Sequence, residues 1–248
     1  MDCMKEAKDR IILALDVDTL EEARSLVREL KEHVGVFKVG LQLFSAVGPE
    51  VFKMIEEEGA KCYFDGKYYD IPNTVAKASA NIVRHNVDAI NINILGSSKM
   101  ITRTIKTVRE VTKKENKKLP LMLGVTLLTS YGQRTLTEEL GVSVNIEDYT
   151  LKLAQIAKES GLDGVVATAE DAIKIRKEFG EDFIIVCPAV RPTWSIVDDQ
   201  VRVTTPADAI KAGVDYIIIG RPVCNAEDKK AAIQLINTEI EEALVIQY

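Results

Sequence analysis

Short apolar runs alternate with longer amphipathic stretches along the whole chain. The runs are rich in Val and Ile and are continuous, without a polar residue at every second position. Continuous runs of this kind are typical of parallel strands that are covered on both faces. They predict eight strands, at residues 11–15, 36–39, 62–64, 89–93, 121–126, 164–167, 183–186 and 216–219.

The stretches between these runs carry apolar residues at the spacing of an amphipathic helix. They predict eight helices, at residues 19–32, 49–58, 74–84, 97–114, 146–159, 170–179, 206–212 and 226–244. Strict alternation of eight strands and eight helices, with right-handed crossovers, is best explained by a (β/α)8 barrel. No break in composition divides the chain, so we expect one α/β domain, a TIM barrel, over residues 1–248.

Length and composition agree with one such barrel. The chain has 248 residues, of which 46% are hydrophobic and 28% are charged. Its net charge of −6 argues against a nucleic-acid binder, which would normally be basic. It contains no apolar run long enough to cross a membrane and no apolar core of a signal peptide near its start. We therefore expect a cytoplasmic protein without a membrane or nucleic-acid partner.

Residue types that commonly bind metals or move protons are sparse. The four cysteines are far apart in the sequence, and no zinc, Walker or dinucleotide-binding motif is present. The two histidines, His33 and His85, fall near the ends of predicted helices, on the face opposite to the active sites of barrels. We therefore predict no metal site, and Lys and Asp side chains would have to carry any proton transfer.

Charged residues stand at the carboxyl ends of the first three predicted strands, where barrel enzymes place their chemistry. Asp16 follows the first strand, Lys38 lies in the second, and Asp65 and Lys67 follow the third. Residues two apart in an extended strand point to the same face, so Asp65 and Lys67 should project together, and Asp70 can extend the row. Because burial of these charges is costly unless they pair, we predict an alternating array of Lys and Asp.

The ends of the last two strands predict a phosphate site. Gly220, at the end of the eighth strand, would let backbone N–H groups approach an anion, and this part of a barrel commonly binds phosphate. Arg191 and Arg221 could donate paired N–H groups to phosphate oxygens, with Gln200 as a further donor. A phosphorylated small molecule is the expected ligand.

Six segments of the chain resemble the bacterial type of the orotidine 5′-phosphate decarboxylase family. They are DGKYYDIPNT at 65–74, LALD at 13–16, FKVG at 37–40, VTLLTS at 125–130, DQVRV at 199–203 and IGRP at 219–222. The resemblance covers nearly the whole chain in order, and the first segment is highly specific on its own. Two positions depart from the family pattern: Ala189 stands where the family usually has Gly, and Tyr69 where it often has His.

The resemblance implies a cofactor-free decarboxylation of orotidine 5′-monophosphate to UMP and CO2, the last step of de novo pyrimidine nucleotide synthesis. Lys67 would protonate C6 of the pyrimidine, and Asp65, Lys38 and Asp70 would complete the charged network. The residues implied in substrate binding are Asp16 and Lys38 at the ribose, Thr129 or Ser130 at the pyrimidine, Arg191, Gln200, Gly220 and Arg221 at the phosphate, together with Pro188, Ile71 and Thr74. It also implies a homodimer in which Asp70, Ile71 and Thr74 reach into the neighbouring site.

Two alternatives remain open. The 3-keto-gulonate-phosphate decarboxylase and hexulose-phosphate synthase type of barrel shares the D-x-K-x-x-D pattern but needs Mg²⁺. In that type the residue in the second strand is an acid that helps to hold the metal, whereas Lys38 would repel a cation. A non-catalytic barrel that only binds nucleotide phosphates is the other alternative. It would be expected to lack Lys67 or Asp65, and both are present.

Overall fold

The computed structural model describes residues 6–195 and 204–245. Within these residues, eight parallel strands form a closed barrel in which each strand pairs with the next and the eighth pairs with the first. The predicted single-domain (β/α)8 TIM barrel is thus confirmed. The strands are β1 (Ile11–Ala14), β2 (Val36–Val39), β3 (Cys62–Tyr68), β4 (Ala89–Asn93), β5 (Leu121–Val125), β6 (Gly164–Val166), β7 (Ile184–Cys187) and β8 (Tyr216–Ile219).

Helices surround the barrel, and all eight predicted helices are present with small shifts at their ends. Thr19 begins the first of them with a capping box, in which its side chain and that of Glu22 bond each other's backbone N–H. The described part of the chain has no helix with the length and apolar character needed to cross a bilayer. The helices are α1 (Leu20–Leu30), α2 (Leu41–Val47), α3 (Glu50–Glu57), α4 (Pro72–Val83), α5 (Ser97–Lys114), α6 (Ile146–Glu159), α7 (Ala169–Phe179), α8 (Pro206–Lys211), α9 (Arg221–Cys224) and α10 (Lys229–Val245).

The main differences between the structure and the predicted elements lie in four places. Two short helices, α2 after β2 and α9 after β8, precede the main helices of their units and were not predicted. Gly48, at φ 66°, and the proline after it separate α2 from α3. The third strand does not end at Phe64 but continues to Tyr68, which pairs with Ile92 of β4 after a shift in register. The seventh strand is shifted by one residue toward the carboxyl end.

Two apolar layers fill the molecule. Inward-facing side chains such as Ile12, Tyr63 and Ile184 fill the barrel itself. A larger layer lies between the strands and the surrounding helices. In that layer the ring of Phe64 packs against those of Phe44 and Phe52, with centroids 4.9 and 5.5 Å away. This ring cluster fixes α2 and α3 against the middle of β3.

At the amino ends of the strands, a repeated aspartate joins neighbouring strands. An aspartate precedes each of β4, β6 and β8 and accepts a hydrogen bond from a backbone N–H of the preceding strand. The three bonds are Cys62 N to Asp88 Oδ2 at 2.8 Å, Met122 N to Asp163 Oδ2 at 2.8 Å and Ile185 N to Asp215 Oδ2 at 2.7 Å. These bonds hold the registers of three strand pairs at the end of the barrel opposite to the predicted chemistry.

Asp215 is the most enclosed of the three aspartates and also pairs with Arg176 at 2.7 Å. Burial raises the pKa of Asp215 even though Ile185 N–H and the guanidinium of Arg176 favour its charged form. Because burial opposes the charge, the contribution of Asp215 to stability should come mainly from its role as a hydrogen-bond acceptor.

We expect Asp215→Ala to lower the free energy of unfolding by about 1–3 kcal/mol, because it leaves the backbone N–H of Ile185 without its acceptor and Arg176 without its carboxylate partner. Asp215→Asn keeps an acceptor oxygen and should cost less. Urea unfolding followed by circular dichroism measures both values. Equal losses in the two variants would show that the charge, and not the acceptor, is what matters.

Candidate active site

A cavity of about 390 Å³ opens at the carboxyl ends of the strands. Its floor is apolar, supplied by side chains such as Ala14, Val125 and Ile218. The predicted site residues that line it are Asp16, Lys38, Asp65, Lys67, Thr129, Ser130, Pro188, Arg191, Gly220 and Arg221. One cavity therefore joins the charged residues of the first three strands to the predicted phosphate residues of the last two.

A row of opposite charges crosses one side of this cavity. Lys67 Nζ lies 2.6 Å from Asp65 Oδ1, and Lys38 Nζ lies 3.3 Å from Asp65 Oδ2. Lys38 Nζ is also 3.7 Å from Asp16 Oδ1 at the rim. The side chains of Lys38 and Asp65 are each 10% exposed, whereas that of Lys67 is 33% exposed. We call Lys38, Asp65 and Lys67 the ion row; its open end is the ammonium of Lys67.

The backbone of β3 leaves the regular extended conformation where it presents this row. Its register with β4 shifts between Phe64 and Tyr68, and Lys67 has a left-handed φ of 47°. A side chain at Gly66 would have its Cβ 2.4 Å from the ring of Phe64, so only glycine fits there. Lys67 and Asp65 therefore meet through a local turn. The prediction that they meet was right, but its reason, a regular strand, was wrong.

Asn91 of β4, which the sequence analysis did not single out, binds this turn. Its side chain is buried, and its Nδ2 donates to Asp65 Oδ1 at 2.6 Å and to the hydroxyl of Tyr63 at 2.6 Å. Its Oδ1 accepts the backbone N–H of Lys67 at 2.7 Å. The only signal in the sequence was an amide in the middle of a largely apolar strand.

The surroundings of Asp65 favour its charged form. Burial alone would raise its pKa, but the charges of Lys38 and Lys67, with hydrogen bonds from Lys67 and Asn91, bring the pKa below its ordinary value. Asp65 is therefore a carboxylate at neutral pH, enclosed by three donor groups. Burial also raises the pKa of Tyr63, in this case well above the usual range, so this phenol stays neutral.

The far side of the cavity combines a close backbone with a cationic side chain. At Gly220 a Cβ would lie 3.2 Å from both the Cβ of Ala14 and Oδ2 of Asp16, a tight contact, so glycine fits best at this position after β8. Arg221 follows directly as the first residue of α9 and is exposed at the rim. This pair can meet an anion with a backbone N–H and a guanidinium.

The segment after β7 lines the same side. Pro188 and Arg191 face the cavity, and the backbone N–H of Arg191 donates to the carbonyl oxygen of Thr204 at 2.9 Å. Ala189 has a φ of 59°, in the left-handed region that an alanine adopts at a cost of about 1 kcal/mol. The backbone thus favours glycine at this departure from the family pattern. The predicted Gln200 lies outside the described residues.

The loop after β5 forms a third side of the cavity. Thr129 and Ser130 are exposed there and line the opening, together with Leu127 and Leu128. The hydroxyl of Thr126, in contrast, is buried and donates to the carbonyl oxygen of Val166 at 2.9 Å. Thr126 therefore joins β5 to β6, and the hydroxyls free to meet a ligand are the two that follow it in the sequence.

Three predicted residues lie apart from this cavity. Asp70, Ile71 and Thr74 are exposed on the segment that leads from β3 into α4. Asp70 Oδ1 accepts the backbone N–H of Ile71 at 2.6 Å and forms no ion pair with any residue in 6–195 or 204–245. The ion row predicted to include Asp70 therefore ends at Lys67 within one chain.

The carboxylates of the cavity are already engaged by cations. Asp16 and Asp65 both face Lys38, and Asp65 also faces Lys67. Among the residues that the structure describes, no group of three or more His, Cys, Asp or Glu side chains is arranged to hold a metal ion.

Fold and site together define a class of protein: a (β/α)8 barrel that brings lysine–aspartate pairs and two arginines to one cavity at the carboxyl ends of its strands. The chain belongs to the orotidine 5′-phosphate decarboxylase / HUMPS family, whose model matches residues 9–236.

Named relatives and solved structures are similar over almost the whole chain. The orotidine 5′-phosphate decarboxylase of Geotalea daltonii is 43% identical over 235 residues, which cover 95% of this chain and 97% of that protein. The protein of the same name from Syntrophotalea carbinolica is 44% identical over 239 residues, 96% of this chain and 98% of its own. The crystal structure of orotidine 5′-phosphate decarboxylase from Lactobacillus acidophilus is 32% identical, with a TM-score of 0.82 over 93% of this chain and 98% of that one.

The lowered pKa of Asp65 predicts a specific pH dependence of stability. The stabilisation from ionised Asp65 should be present above the ordinary aspartate pKa of about 4 and be lost as the pH falls through the lower folded value. Asp65→Asn removes this contribution, so the difference in unfolding free energy between wild type and variant should shrink on acidification. Urea unfolding at a series of pH values measures it.

The exposed Asp182 offers a matched control, since Asp182→Asn should leave the stability unchanged at each pH. If the difference between wild type and Asp65→Asn is the same from neutral to acidic pH, the charge of Asp65 is not stabilised by its neighbours as described.

Proposed function

We propose that this protein is an orotidine 5′-phosphate decarboxylase, a carboxy-lyase that converts orotidine 5′-monophosphate to UMP and CO2 without a cofactor in pyrimidine nucleotide synthesis. The observation that carries the proposal is the ion row, which shares one cavity with Gly220 and Arg221. Membership of the family and the names of relatives at 43% and 44% identity support it. A cytoplasmic location, expected from the sequence, is part of the proposal.

The ammonium of Lys67 suits the electrostatic problem of this reaction. Loss of CO2 from C6 leaves an electron pair in the plane of the ring, which the ring cannot delocalise, so the site itself must stabilise the negative charge. A fixed ammonium in a partly buried cavity does this far better than one in water. In our proposal Lys67 faces C6, stabilises the developing charge and donates its proton to that carbon.

Asp65 and Lys38 would keep this ammonium ready for transfer. Asp65 Oδ1 holds Lys67 Nζ at 2.6 Å, while Oδ2 faces Lys38 Nζ at 3.3 Å. When Lys67 gives up its proton, Asp65 therefore still has a cationic partner and does not become an unpaired buried charge.

The rest of the substrate would be held by groups around the same cavity. Asp16 and Lys38 lie where they could bind the ribose hydroxyls, and Thr129 or Ser130 could meet the pyrimidine. Phosphate would lie between Gly220, Arg191 and Arg221, with Gln200 as a further donor. Binding energy from a phosphate far from C6 can be used to hold the reacting ring against Lys67.

We also propose a homodimer in which Asp70, Ile71 and Thr74 complete the neighbouring site. The support is their exposure: within one chain they lie outside the cavity, and Asp70 pairs with no cation among the described residues. Crossing to a neighbour would place Asp70 beside that subunit's Lys67. The row would then become the carboxylate–ammonium–carboxylate array expected from the sequence.

The magnesium-dependent sugar-phosphate barrels are disfavoured by one observation. Lys38 Nζ lies 3.3 Å from Asp65 and 3.7 Å from Asp16, the two carboxylates that a divalent cation in this cavity would need. An ammonium at that position repels a second cation. The reaction that fits the cavity is therefore one in which lysine supplies the positive charge.

The test of this function is loss of the absorbance of orotidine 5′-monophosphate on incubation with the purified protein. We expect turnover that EDTA does not change, because Lys67 and not a metal supplies the charge. Absence of turnover would refute the proposal, and activity that EDTA abolishes would favour a metal-dependent enzyme.

The role of Lys67 is tested in the same assay. Lys67→Ala should lower kcat by about 1,000-fold or more, because it removes both the charge and the proton at C6, yet UMP should still bind through the phosphate subsite. Lys61→Ala, at the opposite end of β3 and exposed, is the matched control and should keep wild-type turnover. Turnover near that of wild type in Lys67→Ala would show that another group donates the proton.

Sharing of the site between subunits predicts complementation. Lys67→Ala and Asp70→Ala should each be nearly inactive, but a mixed dimer contains one site with both residues intact. Unfolding and refolding an equal mixture should therefore restore about a quarter of wild-type activity, since half of the dimers are mixed and each has one good site. If the mixture stays inactive although mass spectrometry detects mixed dimers, Asp70 does not act across the interface.

A further inference from the structure

The buried amide of Asn91 has every hydrogen-bonding group engaged. Its two N–H groups go to Asp65 Oδ1 and the Tyr63 hydroxyl, each at 2.6 Å, and its oxygen accepts Lys67 N–H at 2.7 Å. A buried amide contributes favourably to stability only when its polar atoms are hydrogen-bonded. Two of the three hydrogen bonds of Asn91 go to residues of the ion row. Asn91 does not line the cavity, so it does not itself face a substrate.

The bond from Lys67 N–H compensates for a break in the barrel. The register of β3 and β4 shifts between Phe64 and Tyr68, so the backbone of Lys67 lacks the regular strand pairing at this point. Its φ of 47° is a conformation that a lysine rarely adopts unaided. The side-chain oxygen of Asn91 replaces the missing acceptor and ties the turn to β4.

The hydrogen bond from Asn91 to Asp65 fixes the carboxylate that pairs with the ammonium of Lys67. Asp65 Oδ1 accepts from both Lys67 Nζ and Asn91 Nδ2, at 2.6 Å each. Without the amide, the carboxylate could rotate about its last bond and carry the ammonium with it. Tyr63 holds the amide from the opposite side, and its neutral phenol keeps the Nδ2 group directed toward Asp65.

We propose that Asn91 is a positioning residue for the decarboxylation. It sets the orientation of the Asp65 carboxylate and the backbone turn of Lys67, and it acts on the reacting atoms only through these two residues. This inference rests on the proposed function of the same site. Displacement of a reacting group by about 1 Å can lower a rate by about 100-fold, so loss of such a support should affect turnover much more than substrate binding.

Two variants test it. Asn91→Ala removes all three bonds and should lower kcat by about 100-fold with KM changed only a few-fold, because the phosphate subsite is untouched. Its acid limb of kcat should move to higher pH, since Asp65 loses a donor that favours its charged form. The matched control is Asn93→Ala: Asn93 lies two residues on in β4, and among the described residues its side chain bonds only the N–H of Leu95, which it accepts at 3.0 Å.

Asn91→Asp keeps the size of the side chain and the acceptor for Lys67 N–H, so it should fold even if the alanine variant does not. It places a second carboxylate against Asp65 in place of a donor, so kcat at neutral pH should fall. On acidification the introduced carboxyl becomes protonated and can again donate to Asp65, so activity should partly recover over a range where wild type only declines. A merely structural role of Asn91 would not produce this inverted profile.

The possible results distinguish the role of Asn91 from the proposed decarboxylase function. Wild-type kcat in Asn91→Ala, or a loss in Asn91→Asp whose pH profile parallels that of wild type, overturns the positioning role while the function stands. An equal loss in Asn93→Ala overturns it as well. A wild-type protein that does not decarboxylate orotidine 5′-monophosphate refutes the proposed function, and the role of Asn91 in it falls too.

Discussion

The buried carboxylate of Asp65 is the constraint on which the rest of the site depends. The residue is 7% exposed, and an ionised carboxylate in such a place is costly unless its oxygens are fully paired. The groups that pair with it come from three strands: Lys38 from β2, Lys67 from β3 itself and Asn91 from β4. These three adjacent strands must therefore pair in their observed registers for this charge to be tolerated, and the same registers bring the groups of the ion row together.

The two halves of β3 show how the core and the site are linked. Its first half pairs regularly, and Phe64 packs into the ring cluster under α2 and α3. The same ring leaves no space for a side chain at Gly66, where the chain turns toward the cavity. Lys67 then takes a left-handed conformation that its neighbours must stabilise. A tightly packed apolar segment thus directly precedes the strained turn.

The sequence was sufficient to predict features that depend on local patterns or on the order of the strands. Periodicity reports burial directly, so the eight strands and their main helices were predictable, and parallel strands bring Asp16, Lys38 and Asp65 to one rim in any barrel. Asn91 could not be assigned, because its partners Lys67, Asp65 and Tyr63 are 24, 26 and 28 positions away, and only the folded register joins them. The turn at Lys67 was missed for the same reason.

The placement of Asp70 links association to chemistry in the proposed homodimer. It lies three residues beyond Lys67, yet outside the cavity, between Tyr69 and Ile71, which are 65% and 67% exposed. Burial of large apolar side chains against a partner stabilises the complex, whereas burial of a carboxylate does not. The apolar neighbours would therefore supply affinity and carry Asp70 into a drier environment beside a lysine, where its charge acts more strongly. A monomer would keep the ion row but lack its second acid, so assembly itself would complete the site.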